Sequence, residues 1–155
     1  MRYLIYILCV SFLFSGCEKD ETLTADQQLA KDIEIIEKYL KDNNLTAQKT
    51  ASGLHYIIKD PGTGSSPTGN SQVKIKYKGY FVNNEVFNKT SGNEVFIDFL
   101  YKFIDGWKEG ITLFKKGGKG TLLIPSYLGY GSSSISNVPK NSVLIFDIEL
   151  VDFTQ

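Results

Sequence analysis

Two stretches alternate between side chains of opposite character, and they constrain the fold more than anything else in the chain. Val73, Ile75 and Tyr77 alternate with Lys74, Lys76 and Lys78, while Leu144, Phe146, Ile148 and Leu150 alternate with Ile145, Asp147, Glu149 and Val151. A period of two sends successive side chains to opposite faces of a strand, so the first stretch is predicted to be half-buried with its lysines in water, and the second to be a long final strand. Other short segments are punctuated by turn residues. Leu54 to Lys59 reads as a strand closed by Asp60-Pro-Gly-Thr-Gly64 and a loop to Asn70. Gly79 to Val82 and Glu85 to Phe87 flank Asn83-Asn84 as a hairpin, because Asn tolerates the positive φ of such turns. Val95, Ile97 and Phe99 alternate again, and Thr121 to Ile124 reads as a buried strand before Pro125. Only Ile104 to Leu113 has helical spacing here, with Trp107 and Ile111 four apart, and no βαβ rhythm appears. The expected class is α+β, an antiparallel sheet folded over one short helix.

A second helix is predicted ahead of the sheet. Thr24 and Gln27 have capping-box spacing, Leu29, Ile33, Ile36 and Leu40 form one apolar stripe, and Asn43-Asn44 marks the end. Lys31, Asp32, Glu34, Lys38 and Lys41 are expected on the solvated side. The stripe suits packing on the parent domain, spacing from a membrane, or dimerisation through paired helices.

The first residues read as an export signal. Arg2 precedes an apolar run from Tyr3 to Phe14, which is the length of a signal-peptide core and too short to cross a bilayer. The run ends in Phe14-Ser-Gly-Cys17, which resembles the lipobox of bacterial lipoproteins, with Phe14 where leucine is usual. That resemblance implies cleavage before Cys17, acylation of its thiol and a membrane anchor, with the outer membrane expected. Glu18-Lys-Asp-Glu21 is similar to a short signal for the outer face of that membrane, and equally suits a solvated tether. The expected division is a signal peptide at 1–16, a tether and amphipathic helix at 17–46, and one compact domain at 47–155.

Composition removes several functions. Seventeen basic residues balance seventeen acidic ones, so no bulk positive field favours nucleic acid. One histidine, His55, and two cysteines, Cys9 and Cys17, are too few for a His/Cys zinc site, and no metal or other cofactor is expected. Gly117-Gly-Lys-Gly120 lacks P-loop spacing and leads into a strand, so it reads as a turn.

Four stretches together resemble the FKBP-type peptidyl-prolyl isomerases: Ser52-Gly-Leu-His-Tyr56 with Gly62-Thr-Gly64; Val73 to Gly79 running on to Val86-Phe87; Phe103-Ile-Asp-Gly-Trp-Lys-Glu-Gly110; and Ile124-Pro-Ser-Tyr-Leu-Gly-Tyr-Gly131 followed by Val143 to Leu150. The overall layout is also similar to lipid-anchored isomerases associated with gliding motility. The resemblance implies a half-barrel sheet wrapped on a short helix, and an apolar pocket floored by Trp107 and bounded by Tyr77, Phe87, Phe103, Ile104, Tyr130 and Phe146. It further implies that Val95 replaces a wall phenylalanine and Val138 a loop aliphatic. The partners implied are proline-containing segments of exported proteins, and macrolide inhibitors of the family. The Ile104 N–H and the Tyr130 hydroxyl are expected to hold substrate carbonyls. One position departs from the pattern: the aspartate usual after the Phe87 position is Asn88, which can exchange hydrogen bonds but supplies no negative charge.

Overall fold

A computed structural model of the chain describes residues 23–155. The signal-peptide, lipobox and tether expectations, including Cys9 and Cys17, lie outside the described residues. Helix α1 (Ala25–Asp42) begins where its cap predicts: Thr24 Oγ1 accepts from Gln27 N at 3.3 Å and Gln27 Oε1 accepts from Thr24 N at 2.9 Å. This reciprocal pair satisfies two of the N–H groups that a helix start leaves open. The helix stops at Asn43, whose side-chain amide donates to Tyr39 O at 2.8 Å, and Asn44 takes φ 54° to turn the chain away.

Seven strands form one antiparallel sheet: β1 (Gln48–Lys49), β2 (His55–Asp60), β3 (Gln72–Tyr80), β4 (Val86–Lys89), β5 (Phe96–Phe99), β6 (Lys119–Ile124) and β7 (Leu144–Thr154). Their order is β1-β2-β6-β7-β3-β4, with β5 also on β3. The two alternating stretches found in the sequence are direct neighbours, since β3 pairs with β7 from Gln72↔Thr154 to Tyr80↔Ile145 across one bulge. Asn84, at φ 67°, makes the β3–β4 turn as predicted. Gly117 and Gly118 form the turn into β6, and the Gly117 N–H donates to Leu150 O.

The sheet has a helix on each face. On the inner face, Val73, Ile75, Leu122, Leu144, Phe146, Ile148 and Leu150 pack with Trp107 of α2 (Asp105–Gly110) and with Ile111 and Phe114 beyond it. The helix backbone rests directly on β6: a Cβ on Gly106 or Gly110 would lie 2.5 Å from Ile124 or Leu122 side-chain carbon. On the outer face, Ile36, Tyr39 and Leu40 of α1 pack on Tyr80, Leu123, Val143 and Ile145. Ile36 and Leu40 of the apolar stripe thus lie against the chain's own sheet, while Leu29 and Ile33 are half-buried beside Gly53. Ile145, on the otherwise polar side of β7, is fully buried for this reason.

Two expectations need correction. Asp32, assigned to the solvated side of α1, is fully buried, because its carboxylate reaches a backbone N–H of the loop after β6. The apolar alternation of Val95, Ile97 and Phe99 does not mark a buried face. Ile97 and Phe99 lie opposite Lys74 and Gln72 on the outer side, beyond the residues that α1 covers, and are exposed.

Candidate active site

The site forms where the inner face outruns its helix. α2 is only six residues long, so it covers the centre of the sheet and leaves a cavity of about 300 Å³ beside it. Trp107 is the floor, 4% exposed, and the rings of Tyr77, Phe103 and Phe146 each have their centroids 5.1 Å from it, at interplanar angles of 81°, 63° and 80°. Edge-on contact of this kind places positive ring edges against a negative ring face and holds the walls upright. β3 supplies Tyr77 and β7 supplies Phe146, strands separated by three others in sequence and adjacent in the sheet. Gly79 makes the close packing feasible, since a Cβ there would lie 2.7 Å from both the Phe146 and Phe87 rings.

The polar groups are few and at the edge. Ile104 caps α2 with its carbonyl, which accepts from Trp107 N and Lys108 N, while its own N–H forms no hydrogen bond among the described residues. Tyr130 is half-buried on the loop after β6, and the N–H groups on either side of it, from Gly129 and Gly131, both donate to Ser126 O at 2.9 and 2.8 Å. Burial, with Tyr130 and Glu94 nearby, pushes the Tyr77 phenol above its ordinary value, so it stays neutral and protonated around pH 7. Asn88 of β4 stands opposite Gly79 and reaches the cavity. Of the residues that line the cavity, Lys102 alone is charged, and its ammonium sits 2.6 Å from Asp98. No carboxylate lines the cavity.

Of the residues singled out in the sequence, Tyr77, Asn88, Phe103, Ile104, Trp107, Tyr130 and Phe146 come together on the cavity surface. Phe87 stands behind it, with its ring 5.5 Å from Phe146 and 4.9 Å from Phe81, and so buttresses the wall. Val95 and Val138 do not line the cavity. The wall place assigned to Val95 is filled by the next residue, Phe96, whose ring lies 6.0 Å from Tyr77 and 5.6 Å from Phe103. Val138 is buried in the core beside its bridge to Ile135. Phe96 and Lys102 are the lining residues that the sequence did not announce. The signal for Phe96 was the lone apolar side chain opposite Ile75 on the inner side of β5. A larger concavity of about 800 Å³ lies between the start of α1 and the loop after β6, but Tyr127 is its only aromatic.

The half-open antiparallel sheet on a short helix, with an aromatic cavity between them, is matched by what comparison with known proteins finds. The family described as FKBP-type peptidyl-prolyl cis-trans isomerase matches residues 64–151, and the chain belongs to it. It is 37% identical over 139 residues to the FKBP-type peptidyl-prolyl cis-trans isomerase FkpA of Escherichia coli K12, covering 89% of this chain and 50% of that protein. It is 46% identical over 106 residues to the FkpA of Buchnera aphidicola from Schizaphis graminum, covering 67% of this chain and 42% of that protein. The chain therefore spans about half the length of these relatives or less. The crystal structure of Escherichia coli FkpA superposes with a TM-score of 0.73 at 34% identity, over 84% of this chain and 61% of that one. A peptidyl-prolyl cis-trans isomerase structure from Pseudomonas syringae shares the fold, with a TM-score of 0.72 at 23% identity, over 86% and 98%.

Proposed function

We propose that this protein catalyses cis-trans isomerisation of X-Pro bonds in exported polypeptides. The observation that carries the reading is the Trp107 cavity: aromatic on floor and walls, without a carboxylate, and with an open N–H and a hydroxyl at its edge. Rotation about a peptide bond meets a barrier of roughly 18–20 kcal/mol because twisting removes amide resonance. The planar amide is the more dipolar form and the better hydrated one. An apolar cavity that strips its water therefore raises the planar ground state more than the twisted transition state. Each 1.36 kcal/mol of that difference is about tenfold in rate, and no bond is made or broken.

In this reading the proline ring sits on Trp107 between Tyr77 and Phe146, with Phe96 and Phe103 closing the far wall and Phe87 backing Phe146. The Ile104 N–H donates to the carbonyl before the bond and the Tyr130 hydroxyl to a neighbouring carbonyl, which holds the flanking chain while the amide turns. Asn88 leaves the edge without a negative charge, in keeping with a mechanism based on desolvation. The test is relaxation of a short X-Pro peptide with the purified protein. Acceleration is expected, with Tyr130→Phe lowering the rate more than the peptide affinity. Absence of acceleration would sink the reading.

Asn88 also favours a second reading, in which the cavity holds proline-containing segments without turning them over quickly. Activity gained only in Asn88→Asp would select it, and the same pair of proteins tests whether macrolide inhibitors bind without the acid. We further propose an exported lipoprotein anchored through Cys17 at the outer membrane, supported by the apolar run that ends in Ser15-Gly16-Cys17. Loss of labelled palmitate in Cys17→Ser is the expected result. A homodimer through α1 would have to use Leu29 and Ile33, since Ile36 and Leu40 of its apolar stripe are covered by the sheet.

A further inference from the structure

The buried Asp32 of α1 is not used by the pocket, and it belongs to a segment that precedes the family match at residue 64. Its carboxylate has two partners: Gln28 Nε2 donates to Oδ1 at 2.7 Å, and the backbone N–H of Ser126 donates to Oδ2 at 2.7 Å across ninety-four residues of chain. Ser126 opens the turn that carries Tyr130. Its carbonyl accepts from both Gly129 and Gly131, so the peptide groups flanking Tyr130 hang from the residue that Asp32 holds. The Ser126 hydroxyl itself is buried with no hydrogen-bond partner among the described residues, so the tie runs through backbone alone.

A second line reaches the same place from the side. Leu29 and Ile33 of α1 close over Gly53, and a Cβ there would lie 3.1 Å from Ile33 Cδ1. The neighbouring Ser52 accepts from the Tyr127 hydroxyl through its carbonyl and donates from Oγ to Glu109 Oε2 at 2.7 Å. Glu109 belongs to α2, which also carries Trp107. Helix α1 thus meets the turn behind Tyr130 directly and reaches the helix that provides the floor through Gly53 and Ser52.

We propose that Asp32 is a positioning residue for isomerisation: by fixing the Ser126 N–H it sets the height of Tyr130 at the pocket edge, and α1 is part of the working site. The inference rests on the isomerase reading for its consequence in rate. A charge-assisted hydrogen bond buried this deeply leaves the Ser126 N–H without a partner when the carboxylate is removed. The turn then relaxes, and displacing a group that orients substrate by about 1 Å costs on the order of tenfold to a hundredfold in rate.

The experiment compares the full protein with Asp32→Ala, Asp32→Asn, Ser126→Ala, Tyr130→Phe and the double variant Asp32→Ala with Tyr130→Phe. Three readouts are taken: X-Pro relaxation kinetics, amide hydrogen exchange at Ser126, Gly129 and Gly131, and thermal unfolding. Asp32→Ala is expected to lower kcat about tenfold with little change in KM, and to speed exchange at all three amides. Asp32→Asn keeps an acceptor for Ser126, with the Gln28 amide free to turn its oxygen to the new NH₂, and Ser126→Ala keeps the backbone N–H; both stay near the parent rate. In the Tyr130→Phe background the Asp32→Ala loss shrinks to less than about twofold, because the same interaction has already gone. Additive losses, a loss that follows the unfolded fraction at the assay temperature, or unchanged exchange would each overturn the inference. If Asp32→Ala does not fold, Asp32→Glu, which shifts the carboxylate by one methylene, carries the same expectations. If the unmutated protein does not accelerate relaxation, the isomerase reading falls, while the exchange measurement still decides whether Asp32 holds the turn.

Discussion

The two faces of this sheet are built from the same strands and have opposite outcomes. On the outer face, an eighteen-residue helix lays Ile36, Tyr39 and Leu40 over Leu123 and Ile145, and the contact closes. On the inner face, a six-residue helix leaves Tyr77, Phe103, Ile104 and Tyr130 only partly covered. Neighbouring residues of β7 divide between them: Ile145 is sealed under α1 while Phe146 walls the cavity. Helix length accounts for the difference. An apolar face becomes a core when the covering element matches it, and a binding surface when the element is too short.

The comparison is sharpened most by Trp107→Ala. Removing the floor is expected to cost about 4 kcal/mol and to abolish isomerisation, read by urea unfolding and peptide relaxation. Retained activity would separate the cavity from function. Ile36→Ala on the closed face is expected to cost about 3 kcal/mol in the same unfolding measurement, with the folded fraction keeping its catalytic rate. A rate loss larger than the unfolded fraction explains would show that the closed face is not merely structural at that point.

A pH titration tests the closed face in another way. His55 lies opposite Leu123, is buried, and with its proton on Nδ1 donates to Gly53 O at 2.9 Å. Desolvation, with a smaller push from the Lys49 charge, holds its pKa below the ordinary value near 6.5, against smaller raising effects of the Gly53 bond and Glu37. The folded state therefore resists a proton that the unfolded chain accepts. Stability is complete above about pH 6.5 and falls as the pH drops from there toward the folded pKa. Melting temperatures between pH 7.5 and 5 should show this decline, and His55→Gln should flatten it. The smallest effect is expected from Thr24→Ala, about 1 kcal/mol in thermal unfolding, because it removes one exposed half of a capping box.

Local rules were legible wherever local geometry decided. The Thr24–Gln27 spacing fixed the start of α1, Asn84 the β3–β4 turn, and the two alternations the central strand pair. Seven of the cavity's lining residues were readable through the family resemblance, because they sit in or beside the short motifs that carry it. The failures depend on contacts distant in sequence. Asp32 looks like any surface acid until the Ser126 N–H arrives from ninety-four residues away. Val95 belongs to the alternation of Ile97 and Phe99, which faces outward: β5 is a short edge, and its register on β3 turns Phe96 inward. Ile145 could not be read as buried without knowing that α1 folds back over β7.

The shared use of β7 limits how this protein can change over generations. Residues along Leu144 to Leu150 alternate between the inner core, where Phe146 walls the cavity, and the outer face, where Ile145 is sealed, so replacing one letter affects one side. Deleting or inserting a single residue there would instead trade the two sets, sending Ile145 toward the cavity and Phe146 under α1. Drift in spelling is tolerable along this strand, and drift in length is not. Any lengthening has to be absorbed by a bulge, of the kind β7 already carries at Val151, the extra residue between Leu150 opposite Ile75 and Asp152 opposite Lys74.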